Sequence, residues 1–324
     1  MKASSDKSLH SRRADGEVSV RRSRDSARGR RPKPRSTGQK PRSARRAWSG
    51  ISQLTLVEHS LCPLDAPRGP LIHEPEYSFY TRGRRRTGRA EIRSLLGLKP
   101  EDEFYLWGIL ALVFSEKEPD PNYYASARYL LERLGLSQGG KSTENLRNAI
   151  HRLGNVRYRN GEFYDPVRKE HRDIGFGFWS YDLPMRDGSL RPWRISIDPV
   201  FFDFCKAAGG FLAFDLEVYR ELRPASRRLF LFIKKLFYRN KDATPYLDVR
   251  DLAVHTLGFS DALRAADYNR KVCACSMDLA KRGMIRLPEG EIRTLCEKVG
   301  KGNYRVRFHK GPHFVETPHR EATR

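Results

Sequence analysis

The pattern of apolar and polar positions marks out a series of elements along the chain. Pro100 and the acidic Glu101, Asp102 and Glu103 open a helix predicted to run to about Ser115, acidic side chains suiting the positive end of the helix dipole. Its apolar residues (Phe104, Tyr105, Leu106, Trp107, Ile109, Leu110, Leu112, Val113, Phe114) nearly encircle it, as in a helix central to a core or in an oligomer interface. From Asn122 to Leu134 the residues Tyr123, Ala127, Leu130, Leu131 and Leu134 fall on one helical face, and Leu146, Ala149, Ile150 and Leu153 repeat the spacing. Strand alternation then takes over. Val156–Arg159 alternates, Asn160-Gly161 signals a hairpin turn, and Glu162–Tyr164 returns. Further strands are expected near Ile174–Tyr181 and Trp193–Ile197, with Asp187-Gly188 turning between them.

Two helices followed by a hairpin make a helix-turn-helix with a wing, and the second half restates that plan. Asp198-Pro199 caps and starts a short helix carrying Val200, Phe201, Phe202 and Phe204, and Ala208-Gly209-Gly210 loosens the chain at a domain junction. Phe211–Asp215 reads as a linker. Asp215 opens a helix to about Leu222, Pro224 and Ser226 start another through Phe237, and a third spans about Val249–Leu257. After a turn at Gly258–Asp261 with Ser260 as cap, a long helix continues to about Arg282, where Gly283 ends it. Met284–Leu287 and Tyr304–His309 form a second wing, in which Tyr304, Val306 and Phe308 alternate with Arg305, Arg307 and His309. The expected class is α+β, mainly helical, with two winged-helix domains behind a disordered basic arm. The divisions are an arm at 1–50, a lead-in at 51–88, winged helices at 89–208 and 209–312, and a tail at 313–324.

Charge narrows the partners. Against 39 Asp+Glu stand 62 Lys+Arg, a net charge of +23 and a pI near 10.1, the electrostatic footprint of a nucleic-acid binder. Residues 1–50 alone carry +12 and have almost no apolar periodicity, so they cannot offset their ordering entropy. Such an arm holds DNA phosphates or a protein partner, or is simply solvated; its run Arg28–Arg35 also resembles a nuclear-import signal. No secretory segment is visible, and the apolar run Phe104–Phe114 is about half the ~20 residues a membrane helix needs. Five scattered cysteines (Cys62, Cys205, Cys273, Cys275, Cys296) fit reduced thiols, so the expectation is a cytoplasmic protein with no membrane partner. On a helix Cys273 and Cys275 point about 200° apart, and His309 and His313 near Cys296 match no common zinc spacing. There is neither a His-x-His pair ahead of a nucleophilic Tyr nor a convincing triad or acid pair. The expectation is a non-enzymatic protein with no metal and no cofactor.

One motif argues otherwise. Gly135–Ser142 matches the phosphate-cradling pattern G-x-x-x-x-G-K-[ST] in full, which would suit a P-loop NTPase. That pattern needs a buried strand before the glycines, and here a helical pattern precedes it. The same residues serve as the turn of a helix-turn-helix, where Lys141, Ser142 and the following helix start would meet a DNA phosphate. The outward face of that following helix carries Arg147, Asn148, His151 and Arg152. Arg and Asn are the side chains that pair with guanine and adenine edges. In the second half Arg264, Arg270 and Lys271 occupy the corresponding helix. Arg227 and Arg228 lie on the helix before it and Lys301, Arg305 and Arg307 on the wing, so positive charge recurs on three neighbouring elements.

The segments Leu56-Val57-Glu58-His59, Cys62-Pro63-Leu64, Asp102–Trp107, Gly139–Ser142, Phe163-Tyr164-Asp165-Pro166 and Pro224–Phe230 together resemble the plasmid replication initiator protein A family over about residues 51–290. The resemblance implies a bacterial, plasmid-encoded initiator with tandem winged helices. Such a protein binds repeated duplex DNA sites at an origin, promotes melting of adjacent AT-rich DNA and recruits host replication proteins, an initiator and a helicase. It further implies that the second winged helix does most of the DNA reading, through Arg264, Arg270 and Lys271. The first would serve homodimerisation and auxiliary contacts through Arg147 and Arg152. A transcriptional repressor of the same fold is the alternative reading, and the P-loop NTPase a second one.

Overall fold

The computed structural model describes residues 49–81, 84–185, 191–239, 242–288 and 295–314. The basic arm up to residue 48, with its Arg28–Arg35 run, the Asp187-Gly188 turn and residues 315–324 of the tail lie outside that set. In chain order the elements begin with β1 (Ser49–Gln53), a 3-10 turn at Leu56–Glu58, β2 (Leu71–His73), β3 (Glu76–Thr81) and β4 (Arg84–Ser94). There follow α1 (Asp102–Ser115), β5 (Asn122–Ala125), α2 (Ala127–Arg133), α3 (Gly140–Gly154), β6 (Val156–Asp165), β7 (Glu170–Phe176), β8 (Trp179–Asp182) and β9 (Trp193–Ile197). Next come α4 (Pro199–Lys206), β10 (Phe211–Asp215), α5 (Leu216–Glu221), α6 (Pro224–Arg239), β11 (Leu247–Asp248) and α7 (Val249–Asp251), which continues as a wider π turn to Thr256. The last elements are α8 (Ala265–Ala280), β12 (Ile285–Arg286), β13 (Cys296–Gly300), β14 (Asn303–Val306) and β15 (His309–Lys310).

The architecture is α+β, and one order of elements occurs twice. Helix, strand, helix, helix and a closing pair of strands run as α1–β5–α2–α3–β8–β9 and again as α6–β11–α7–α8–β13–β14. In both, the three strands form an antiparallel sheet with the last strand in the middle, β5-β9-β8 and β11-β14-β13. Each unit fastens the start of its first helix to the latter half of its last helix by one polar clasp of opposite polarity. Arg152 of α3 donates to Asp102 of α1 at 2.6 and 2.8 Å, whereas in the second unit Arg223 and Ser226 donate to Asp278 of α8 at 2.9 and 2.7 Å.

Several expectations are revised by the strand pairing. The helix expected over Asn122–Leu134 begins only at Ala127, where the Ser126 hydroxyl accepts from the Tyr129 N–H at 3.1 Å. Residues 122–125 instead bury Tyr123 and Ala125 alternately, and pair with β9. The hairpin expected at Asn160-Gly161 is the middle of β6; the strand carries a bulge there, and the turn falls after Asp165, with Lys169 at φ 60°. Asn160 is held in the strand because it is fully buried and its amide is hydrogen-bonded from both ends. Its oxygen accepts from the Tyr77 hydroxyl and Glu162 N–H, and its nitrogen donates to the Tyr158 hydroxyl. β6 and β7 therefore belong to a separate sheet, β2-β4-β6-β7 with β3 also on β4, and the closing hairpin of the first unit is β8–β9. Phe211–Asp215 is a strand, β10, pairing antiparallel with β1. The long helix starts at Ala265 instead of Ser260, since the Tyr268 hydroxyl donates to the carbonyls of Ser260 and Asp261 and holds that stretch as a turn. Tyr304–His309 divides, β14 pairing with β13 and β11 while β15 pairs with β12.

Buried apolar side chains on both sides of the expected junction at 208/209 form one contiguous core. The centre of that core is polar. Arg228 of α6, 5% exposed, donates to Glu103 of α1 from Nη2 at 2.7 Å and Nε at 3.0 and 3.1 Å, and from Nη1 to the Leu257 carbonyl at 2.7 Å. Glu103 also accepts from the Leu61 N–H at 3.3 Å, and Cys62 Sγ lies 3.6 Å from Nη2. Gly258 (φ +80°) is needed beside it, because a Cβ there would stand 2.2 Å from the Arg228 Nη1.

Removing one partner of such a pair leaves an uncompensated buried charge. Glu103→Gln should lower the unfolding free energy by about 3–5 kcal/mol in urea titration, while the paired Glu103→Leu/Arg228→Met variant should lose much less. Buried His59 and half-buried His73 set a pH dependence. Burial lowers His59 to about 4, where Nδ1–H donates to Ser60 and Nε2 accepts from the Tyr158 hydroxyl at 2.9 Å, and lowers His73 to about 3. The folded chain thus binds fewer protons than the unfolded one below about pH 6.5, so their stabilisation is intact above that pH and is lost as pH falls toward 4 and 3. The urea midpoint should fall between pH 6.5 and 5, and His59→Gln should flatten that slope.

Candidate nucleic-acid interface

α8 buries Tyr268, Val272, Cys275, Ser276 and Leu279, and turns Ala266, Arg270 and Ala274 outward at successive four-residue steps. The two alanines leave room for a partner to approach the helix beside Arg270. Arg264 stands at the N-terminal boundary of the helix and is exposed. Arg264 and Arg270 share one carboxylate, Asp267, at 3.4 and 2.8 Å, which holds two guanidinium groups over the first turns of the helix. Lys271 is half-buried, with its ammonium 4.8 Å from the Phe259 ring centre, and it braces the turn before α8.

The β13–β14 hairpin extends this surface. Lys298 and Lys301 are exposed on it, and Gly302 (φ +79°) makes the turn. Arg305 pairs across the hairpin with Glu297 at 2.8 Å, and its guanidinium carbon lies 4.1 Å from the centre of the Tyr246 ring. Arg307 lies 5.5 Å from the same ring and donates to the Thr244 carbonyl at 3.0 Å. Tyr246, which sequence reasoning passed over, is therefore a half-exposed platform under two arginines. The available signal was its position immediately before β11, the strand registered against β14.

The candidates elsewhere fare differently. In the first unit Lys141 is exposed at the start of α3, Ser142 Oγ lies 2.6 Å from Ser137 Oγ, and Asn148 is half-buried. Arg147 was expected on a reading face, but its guanidinium donates to the Pro184 carbonyl at 2.9 Å and covers the Trp193 ring at 5.0 Å, tying α3 to the β8–β9 hairpin. His151 stacks on Tyr181 with ring centres 4.8 Å apart, and burial first, then Arg147 and Arg152, lowers its pKa. Arg152 is committed to Asp102 of α1. These half-buried side chains are engaged by neighbouring elements because α3 packs between α1 and the β8–β9 pair, which the apolar spacing alone did not reveal.

Arg227 and Arg228, expected as DNA contacts, are engaged within the fold. Arg228 lies in the core, and Arg227 donates to the carbonyls of Tyr219 and Arg220 at 2.9 and 2.7 Å while covering the Phe104 ring at 5.1 Å. Both belong to the packing of α6, whose apolar stripe runs through the same turns. Around Gly135–Ser142, helix α2 stands where the phosphate-loop pattern requires a strand. Gly135 (φ +68°) ends that helix, its N–H donating to Glu132 and its carbonyl accepting from Arg220 at 3.1 Å.

Among the described residues no cluster of three or more His, Cys, Asp or Glu is grouped for a metal, and no helix is long and apolar enough to cross a membrane. No protein-family model and no curated protein matches the chain. Among solved structures it is similar to the selenomethionine derivative of domains 2 and 3 of RctB, with 14% identity, 81% of this chain and 99% of that chain covered, and a TM-score of 0.49. A second crystal structure of RctB domains 2-3 is 12% identical, covering 79% of this chain and 96% of that one with a TM-score of 0.46.

The helix and the hairpin of the second unit meet at two thiols. Cys273 of α8 and Cys296 of β13 lie 3.8 Å apart, and the hydrogen bond from Cys296 lowers the Cys273 thiol, whereas Cys296 is raised by that bond and by burial. Burial pushes Cys62 up to about 12 and Cys275 to about 11, and raises Cys205. Half-buried Cys273 should therefore be the first of the five to be alkylated by iodoacetamide at mildly alkaline pH, as read by peptide mass spectrometry.

Proposed function

We propose that the chain is a non-enzymatic, origin-binding replication initiator built on two winged helices. In each unit the helix–strand–helix–helix order and the three-stranded sheet with its last strand central are what a winged helix requires, α3 and α8 being the reading helices and β8–β9 and β13–β14 the wings. The observation that carries the reading is the second unit: exposed Arg264 and Arg270 on α8 adjoin the exposed Lys298, Lys301 and Arg305 on the wing, with small side chains where duplex DNA would approach. The motif resemblance from Leu56 to Phe230 adds the class, a plasmid-encoded initiator that recognises origin repeats, melts adjacent DNA and recruits a host initiator and helicase, acting or repressed as a homodimer in the cytoplasm. The second unit is the principal DNA reader on this view. Of its sequence-predicted contacts the first contributes Lys141, Ser142 and Asn148 at most, since Arg147 and Arg152 are engaged within the fold.

Binding to duplex origin DNA should weaken steeply with salt, by close to one unit of log–log slope for each phosphate contacted. Arg270→Ala should cost about 1–3 kcal/mol on a specific site and relax sequence preference at one position, by fluorescence anisotropy against single-base variants of that site. An isotherm unchanged between low and physiological salt would remove the DNA reading. Initiation is tested by asking whether the gene and its flanking repeats replicate a plasmid that has no other origin; DNA binding without replication would leave a repressor.

A further inference from the structure

Between Tyr77 and Ala90 the sequence holds five arginines and no acidic residue, in a stretch whose hydrophobic pattern gave no clear element. β3 and β4 pair there as an antiparallel ribbon, with Phe79 opposite Arg86 and Tyr80 opposite Arg85. Residues opposite one another share a face and successive residues alternate, so Arg84 and Arg86 lie on one face of the ribbon and Arg85 and Arg89 on the other. All four are exposed.

The root of the ribbon is firmly held. Tyr77 and Phe79 are buried; the Tyr77 hydroxyl donates to the Asn160 side chain at 2.9 Å and to the Glu162 carbonyl at 3.0 Å, and the Phe79 ring lies 4.5 Å from that of His171. Gly88 lets the strands close over that anchor, because a Cβ there would come within 2.6 Å of the Tyr77 ring. The arginines play no such part. Arg85 reaches the Ser78 hydroxyl and lies 3.9 Å from Asp251, and Arg89 pairs with Glu74, while Arg84 and Arg86 make no ion pair among the described residues. A cluster of four exposed arginines of which two have no carboxylate partner among the described residues, on a ribbon anchored at its root, suits a partner carrying closely spaced negative charge. Duplex DNA carries one such charge per ~1.7 Å of axis.

Its place in the fold indicates which stretch of DNA. Arg85 meets Asp251 at the end of α7, and the Glu76 N–H donates to His255 Nδ1 in the turn that follows, at 3.3 Å. That helix precedes α8, and in a helix-turn-helix the helix before the reading helix crosses the phosphate backbone. We propose that the β3–β4 ribbon is a phosphate clamp that grips the DNA backbone flanking the segment read by α8. The proposal rests on the DNA-binding reading above and extends its footprint to a segment outside both repeated units.

The test uses the full chain and a labelled mixed-sequence duplex several helical turns long, titrated by anisotropy over a range of salt. Arg84→Gln/Arg85→Gln/Arg86→Gln should make the log–log salt slope shallower by about 2–3 units, at ~0.9 per phosphate, and weaken binding at least about tenfold near physiological salt. The Lys triple variant at the same positions should keep most of the wild-type slope. Both variants should unfold at the wild-type urea midpoint, since the replaced side chains are exposed. A steep wild-type slope, weakened binding in Arg270→Ala and an unchanged slope in the Gln triple variant would overturn the clamp and leave the initiator reading standing. Wild-type binding that is absent or flat with salt would remove both.

Discussion

The buried pair of Arg228 and Glu103 is the interaction on which the rest of the molecule depends. Glu103 lies in the first turn of α1, the first helix of one repeated unit, and Arg228 in the second turn of α6, the first helix of the other. The remaining valences tie in the Leu61–Cys62 segment that precedes the repeats and the Leu257 carbonyl at the end of the helix before α8. Four stretches distant in sequence thus converge on one guanidinium–carboxylate contact. In an apolar core the desolvation of two charges is tolerable only when every donor and acceptor is engaged, and here both groups are surrounded by partners. The pair fixes which helix faces meet, and so how the two units pack.

Around that centre each unit is closed by its own clasp, Arg152 to Asp102 in one and Arg223 with Ser226 to Asp278 in the other. These clasps have a consequence for surface chemistry. In the first unit, arginines and a histidine of α3 are drawn into contacts with α1, Pro184, Trp193 and Tyr181. In the second, the clasp lies near the end of α8 and leaves the first turns outward, where Arg264 and Arg270 stand over Asp267. Two units of like topology thereby differ in what they offer a partner. The difference lies in which partner of the clasp the last helix supplies, the arginine in the first unit and the carboxylate in the second.

The thiol contact joins α8 to β13, and the stacking of Arg305 and Arg307 on Tyr246 joins the β13–β14 hairpin to the segment before β11. The base of the β3–β4 ribbon meets the same unit where the Glu76 N–H donates to His255 in the turn after α7. Neither set of contacts lies within a single element, so both stay intact only while the core stays closed.

Much of this was legible in the sequence. The encircling apolar residues of α1, the stripes of α3 and α6, the caps at Asp198 and Asp215 and the stop at Gly283 follow from local chemistry, because a helix end or an apolar face is decided by neighbours within a few residues. The outward Arg264 and Arg270 were readable for the same reason, as were the α+β class and the recurrence of one plan. Pairing was not legible. Asn160-Gly161 has the local signature of a turn, but tertiary hydrogen bonds from Tyr77 and Tyr158 keep it in a strand. Tyr123 satisfies a helical spacing and a strand alternation equally, and only β9 decides between them. The inward fate of Arg228, Arg152 and Arg147 likewise depended on a carboxylate, a carbonyl or an aromatic face supplied from far along the chain. Sequence by itself determined which segments can be helices and where positive charge is available; the tertiary structure decided which charges the fold uses for itself and which remain for a partner, since a charge enters the interior only where a distant residue completes its hydrogen bonds.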